Sequence, residues 1–256
     1  MSCKLRGFEL LKYGVIGSGR WGSVIKKILS TGSEMVISFD ISRRHKSETR
    51  KNYKNNIKRY LQRNIEQVDV IWIAVPPKDQ DILIESVLDY GKHVIVEKPW
   101  MCDQMVTSEL VNHAKFVDRQ VAVHYQYCYL DALKHVPFAL HNSQDGMYFW
   151  GEFCISRSNR LSIPAIYNLG THLLAIKELY FPDAFIKGIH TGYNMLDKRR
   201  IRIQSTTQCY EIDFQNNNEP LIQRFIFDFE NHLNSKKEFP LNLMFSLNIN
   251  KELILL

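Results

Sequence analysis

A chain of 256 residues, 45% hydrophobic and 23% charged, has the composition of a globular protein with one large or two modest domains. Its formal charge of +6 invites a nucleic-acid reading, but much of the excess sits in a Lys/Arg/Asn-rich stretch from Arg43 to Arg63. No recognised binding module accompanies it, so the stretch reads most simply as a solvated face and no nucleic-acid partner is expected. Five scattered cysteines, Cys3, Cys102, Cys128, Cys154 and Cys209, never form a CxxC pair, which argues for a reducing compartment and against a zinc site. The N-terminus lacks the apolar core of a signal peptide and no apolar run reaches spanning length; the expected location is the cytoplasm, with no membrane partner.

In chain order, apolar runs alternate with helical patterns as repeated βαβ units require. The expected elements are a strand to Ile16, a helix from about Trp21, a strand over Met35–Phe39 and a basic helix near Glu48–Tyr53. A strand over Val70–Val75 follows, stopped by Pro76 and Pro77, then a helix over about Asp79–Asp89 that ends where Gly91 supplies a left-handed residue. A strand over His93–Val96, a helix over about Asp103–Val117 and a strand over Gln120–His124 complete a doubly wound sheet. From Leu130 the texture changes. A helical stretch to His141 leads to a strand over Met147–Ile155 and a helical pattern over Ala165–Tyr180. Alternating segments at Phe185–Tyr193, Arg200–Phe214 and Leu221–Phe227 predict a second, mostly antiparallel sheet. The expected fold is α/β: a Rossmann domain over 1–124 and an α+β domain with an open sheet over 125–256, for substrate and oligomerisation.

Two motifs carry chemistry. Gly17-Ser18-Gly19-Arg20-Trp21-Gly22 follows a strand and opens a helix, the context in which a glycine fingerprint binds a dinucleotide. Gly17 makes the tight turn, Gly19 lets the pyrophosphate approach, Gly22 packs helix on strand, and the phosphate charge rests on the helix N-terminus. Asp40, about 20 positions on, would take the adenosine ribose hydroxyls and favours NAD, whereas Arg43 and Arg44 could grip the 2′-phosphate of NADP. The second motif, Val94-Ile-Val-Glu97-Lys98-Pro99-Trp100, places a lysine just past the carboxyl end of a buried strand, where open α/β sheets bind ligands.

The segments Gly17–Gly22, Val70–Pro77 and Gly91–Pro99 together resemble the Gfo/Idh/MocA oxidoreductase family, and Asn168-Leu-Gly170-Thr-His172 looks like the family's Asp-x-Gly-x-His element. The resemblance implies hydride transfer between NAD or NADP and a hydroxyl or keto carbon of a sugar, inositol or sugar nucleotide. It implies Lys98 and His172 as catalytic groups and Val75, Pro76, Pro77, Gln80 and Glu97 beside the cofactor. Tyr125 and Asn168 would contact substrate, with Arg157 and Arg160 for an anionic portion of it. The open sheet would form a homodimer or homotetramer. A proton leaves the hydroxyl as the hydride departs, so a base within hydrogen-bond reach is needed, and His172 can be that base; Lys98 would steady alkoxide character.

Three positions depart from the family pattern: Asn168 replaces an acid, Ala175 replaces the acid three residues after His172, and Gln80 replaces a histidine. The second domain is also short. These departures leave two alternatives standing, a cofactor-binding regulator without turnover and a reductase of imines or conjugated systems.

Overall fold

The structure is a computed structural model that describes residues 11–32, 34–39, 50–137, 140, 146–157 and 163–256. It divides into two compact units: residues up to His124 with Phe225–Phe245, and Tyr125–Arg224 with Ser246–Leu256.

The first unit is built on a five-stranded sheet of β1 (Lys12–Ile16), β2 (Glu34–Phe39), β3 (Val70–Ile73), β4 (His93–Glu97) and β5 (Val121–His124), in the order β2-β1-β3-β4-β5. Every pairing is parallel. The strands β3 and β5 are buried along their whole length, and β1 and β4 at all but their first residue, which is why they read as unbroken apolar runs. Helices α1 (Arg20–Gly32), α2 (Arg50–Gln62), α3 (Gln80–Leu88) and α4 (Gln104–Phe116) make the crossovers. α4 starts at Asp103, whose carboxylate accepts the Val106 N–H at 2.9 Å as an N-cap. α2 runs nine residues beyond the helix expected to end at Tyr53. The strand order reverses between β1 and β3, so the loops that follow those two strands flank the topological switch point of the sheet.

The segment Leu221–Phe227, expected to be a strand, is instead the first half of helix α6 (Leu221–Asn234). Leu221, Ile222, Phe225, Ile226 and Phe229 are buried at helical spacing, and a window ending at Phe227 is too short to show the 3.6-residue period. Within the first unit Phe225 meets Trp72 and His124, with ring centroids 5.8 and 4.8 Å apart, while Glu230 accepts the Tyr13 hydroxyl at 2.8 Å. α6 therefore seals one face of the parallel sheet.

The second unit carries a four-stranded sheet of β6 (Tyr148–Ile155), β7 (Phe185–Tyr193), β8 (Lys198–Gln204) and β9 (Cys209–Asp213), in the order β7-β6-β8-β9. Two pairings are antiparallel and one, β6 with β7, is parallel. Of the helical stretch expected from Leu130 to His141, Asp131–His135 is a 3₁₀ turn, preceded by another at Gln126–Tyr129, and positions 138, 139 and 141 lie outside the described residues. The pattern over Ala165–Tyr180 resolves into a π turn at Ile166–Gly170 followed by α5 (Thr171–Tyr180), whose residues from Thr171 to Lys177 are all buried. α7 (Leu243–Ile254) closes the chain. Among the described residues no helix is long and apolar enough to cross a membrane.

Candidate functional site

In the first unit the glycine turn follows β1. Gly17 has φ +115°, and a Cβ there would stand 2.4 Å from the Ala74 carbonyl oxygen; a Cβ on Gly22 would stand 2.2 Å from the Gly17 carbonyl oxygen. Both glycines are required by the protein's own packing. Gly19 differs, because a Cβ there would meet nothing within 4 Å. Its missing side chain leaves open space at the head of α1, the space a pyrophosphate needs beside a helix N-terminus. Ser18 and Arg20 are exposed next to it, and Trp21 keeps 41% of its surface exposed. Asp40, Arg43, Arg44 and Arg160 lie outside the described residues.

The loop after β3 holds Val75 and Pro77 half-buried and Pro76 exposed. Gln80, at the start of α3, is fully buried and donates its amide to the Val75 carbonyl at 3.2 Å and the Glu97 carbonyl at 2.7 Å. It clamps the carboxyl ends of β3 and β4 together, a role an amide fills with both N–H groups at once. Glu97 is turned to the α6 side of the sheet. Its Oε1 accepts the Trp72 indole N–H at 3.0 Å and lies 2.9 Å from His124 Nδ1, all three side chains buried. The next residue alternates to the other face, which leaves Lys98 half-buried just beyond β4. Desolvation pulls the Lys98 ammonium from 10.5 down to about 8, while the Glu97 carboxylate acts in the opposite direction. An amine in that range exchanges protons near neutral pH.

In the second unit His172 lies in the first turn of α5 and is 5% exposed. Tyr125 and Tyr127 approach its ring edge-on at 6.4 and 4.8 Å, and Phe153 stacks on it at 5.7 Å. Tyr125 is itself held by a hydrogen bond from its hydroxyl to Ser246 Oγ at 3.0 Å, and burial raises its pKa. Asn168 sits on the π turn, a distortion frequent at functional sites. Its Nδ2 donates to the Tyr193 hydroxyl at 2.7 Å, and that hydroxyl donates to the Ile163 carbonyl at 3.2 Å. Ala175 is fully buried, so an acid there would need a buried partner. Arg157 is exposed at the bend after β6.

One residue beside His172 escaped the sequence reading. Arg199 pairs with Phe153 across β8 and β6, its guanidinium 5.4 Å from the Phe153 ring, and Nη1 donates to the Tyr127 hydroxyl at 3.4 Å. Its Nε is buried with no partner among the described residues. The signal was present: in the Lys198-Arg199-Arg200 run on a strand, successive side chains must point to opposite faces.

A five-stranded parallel sheet of order 2-1-3-4-5 with a glycine turn after its first strand defines a Rossmann-type dinucleotide-binding unit. Residues 11–125 match the Gfo/Idh/MocA family model, described as "Oxidoreductase family, NAD-binding Rossmann fold". A comparison with curated sequences returned no match. Among solved structures, UDP-N-acetylglucosamine 3-dehydrogenase GnnA from Acidithiobacillus ferrooxidans is similar at 16% identity with a TM-score of 0.79, each chain covered over 96%. Apo scyllo-inositol dehydrogenase from Lactobacillus casei is similar at 11% identity and TM-score 0.73, covering 97% of this chain and 95% of that one. KijD10, a 3-ketoreductase from Actinomadura kijaniata in complex with NADP and TDP-benzene, is similar at 13% identity and TM-score 0.70, each chain covered over 96%. At these identities the likeness concerns the fold, and it runs through both units.

Proposed function

We propose that the chain is an NAD(P)-dependent oxidoreductase that transfers a hydride to or from a hydroxyl or keto carbon of a sugar, inositol or sugar-nucleotide-like substrate. The observation that carries this reading is Lys98, a lysine just past the end of β4, with its pKa drawn to about 8 by burial. The fold-mates that oxidise a UDP-sugar or an inositol, or reduce a keto group, give the substrate class.

The glycine turn, Arg20 and Trp21 hold the cofactor, which supplies the hydride acceptor or donor when bound. Val75, Pro76 and Pro77 line its approach, positioned by Gln80. Lys98 and His172 act on the reacting oxygen. In oxidation the hydroxyl O–H bond breaks and its proton passes to the neutral member of the pair, while the C–H bond breaks with its electron pair as hydride; the protonated member stabilises the developing alkoxide. The aromatic walls around His172 exclude water and keep its orientation. Tyr125 and Asn168 contact the substrate, and Arg199 or Arg157 meets any phosphate it carries. Asp40 favours NAD over NADP through its repulsion of a 2′-phosphate.

The protein is cytoplasmic in this reading and acts as a homodimer or homotetramer through the second sheet, which light scattering at micromolar concentration tests by returning more than a single-subunit mass. The decisive experiment on function is calorimetric titration with NAD(H) and NADP(H), followed by turnover on a panel of UDP-sugars and inositols. Binding of either cofactor with turnover of a panel member is the expected result. Well-folded protein that binds neither cofactor would overturn the proposal.

A further inference from the structure

We propose that Glu152, Cys154 and His190 form a binding site for a thiophilic divalent cation of the zinc type on the second sheet, on the face opposite His172. The register of the sheet assembles it. Glu152 and Cys154 are two residues apart on β6 and so share a face, and His190 is the direct partner of Glu152 on the parallel neighbour β7. His172 stacks on Phe153, which points the other way, so this site is separate from the one used for hydride transfer.

The donor atoms are already close to a coordination sphere. His190 Nδ1 lies 3.1 Å from Glu152 Oε1 and 4.0 Å from Cys154 Sγ, and one donor atom from each of the three residues lies within 4.8 Å of the others. Tetrahedral zinc with its usual bond lengths separates such ligands by roughly 3.4–3.6 Å, so His190 needs shifts of only a few tenths of an ångström relative to each of the other two donors, and the remaining closure falls between Glu152 and Cys154. Cys154 and Glu152 are buried at 0% and 3% exposure, whereas the His190 side chain is about half exposed and free to rotate toward them. A thiol, an imidazole and one carboxylate oxygen are the three ligand types zinc accepts, leaving the fourth position to water.

The neighbours sort into supports and competitors. Arg200 Nε donates to Glu152 Oε2 at 2.7 Å, which orients the carboxylate and leaves Oε1 facing His190, the arrangement outer hydrogen bonds give to ligating carboxylates. Lys198 Nζ lies 3.4 Å from Oε1 and competes with a cation for it, but its side chain is exposed and can withdraw. Gly192 is in register with Cys154; a Cβ there would stand 2.1 Å from Met195 Sδ and 3.8 Å from Cys154 Sγ, so the glycine admits a second sulfur beside the thiol. Binding replaces the thiol S–H bond with a sulfur–metal bond and releases the proton to solvent.

The test uses the full chain, stripped with a chelator and titrated with Co²⁺ as the probe. The expected result is a thiolate-to-cobalt charge-transfer band that saturates at one equivalent and is erased by Zn²⁺. Cys154→Ser should abolish the band, His190→Ala should weaken Co²⁺ binding roughly ten- to hundredfold, and Lys198→Ala should tighten it. Should Cys154→Ser not fold, His190→Ala decides, since its position is exposed. No charge-transfer band in the wild type would mean that Glu152 is an ion-pair hub for His190, Lys198 and Arg200 and nothing more. A band that survives His190→Ala unchanged, or that is lost with Cys209→Ser, would equally overturn the site.

Discussion

Glu97 and His124 face one another as partners on adjacent parallel strands, the carboxylate Oε1 2.9 Å from the imidazole Nδ1 in a buried setting that also takes the Trp72 N–H. The pair lies directly beneath the residue proposed to do chemistry, so the carboxylate is committed to holding β3, β4 and β5 in place. Glu97→Leu leaves an indole N–H and an imidazole nitrogen buried and unpaired. It should cost about 2–5 kcal/mol in urea unfolding, against about 1 kcal/mol for Trp72→Phe, which removes one neutral donor.

The glycine turn separates packing from cofactor binding. Gly22→Ala drives a methyl into the Gly17 carbonyl and should lower stability by more than about 1 kcal/mol. Gly19→Ala meets no protein atom and should leave the melting temperature nearly unchanged while weakening NAD(H) or NADP(H) binding at least tenfold. Differential scanning calorimetry and calorimetric titration of both variants check this; equal cofactor affinity for Gly19→Ala and wild type would remove the pyrophosphate from this turn.

Lys98 makes a pH prediction with a definite sign. Its folded pKa of about 8 lies below the unfolded 10.5, so between these values the unfolded chain binds more protons and stability rises with pH. Below pH 8 the half-buried ammonium, desolvated more than the Glu97 carboxylate compensates, opposes folding. Lys98→Met should therefore raise stability at pH 7 by about 1–3 kcal/mol and flatten the rise between pH 8 and 10.5. The same variant, and His172→Ala, should lower turnover by about two to four orders of magnitude with cofactor affinity nearly intact.

Asn168→Asp tests whether the π turn holds a substrate ligand or a catalytic position. The amide donates to Tyr193, and a carboxylate would instead accept that hydroxyl's proton, releasing the Ile163 carbonyl. If Asn168 binds substrate, the variant raises KM with kcat within about threefold. A raised kcat with a shifted pH optimum would show that a carboxylate here supports His172.

Much of the first unit was legible in the sequence because its signals are local. Strands buried on both faces must be continuous apolar runs, a turn with φ +115° needs glycine at Gly17, and the helix after β3 ends where Gly91 adopts φ +64°. The motif Glu97-Lys98-Pro99 could be placed at a strand end for the same reason. The sheet of the second unit gave weaker signals, since strands exposed on one face carry only short alternating patterns. Leu221–Phe227 read as such a strand until its period was completed at Phe229 in α6.

Chain order alone determined that a parallel sheet forms, where its glycine turn falls and which lysine follows β4. Tertiary structure decided the rest, because pairing partners and register are set by packing between segments distant in sequence. Only the parallel pairing of β6 with β7 brings His190, 36 residues away, to Cys154, and only the antiparallel pairing of β6 with β8 lays Arg199 over Phe153. Five cysteines without a close pair gave no sign of a metal site, since two of the three ligands flank a single residue on one strand and the third arrives from another.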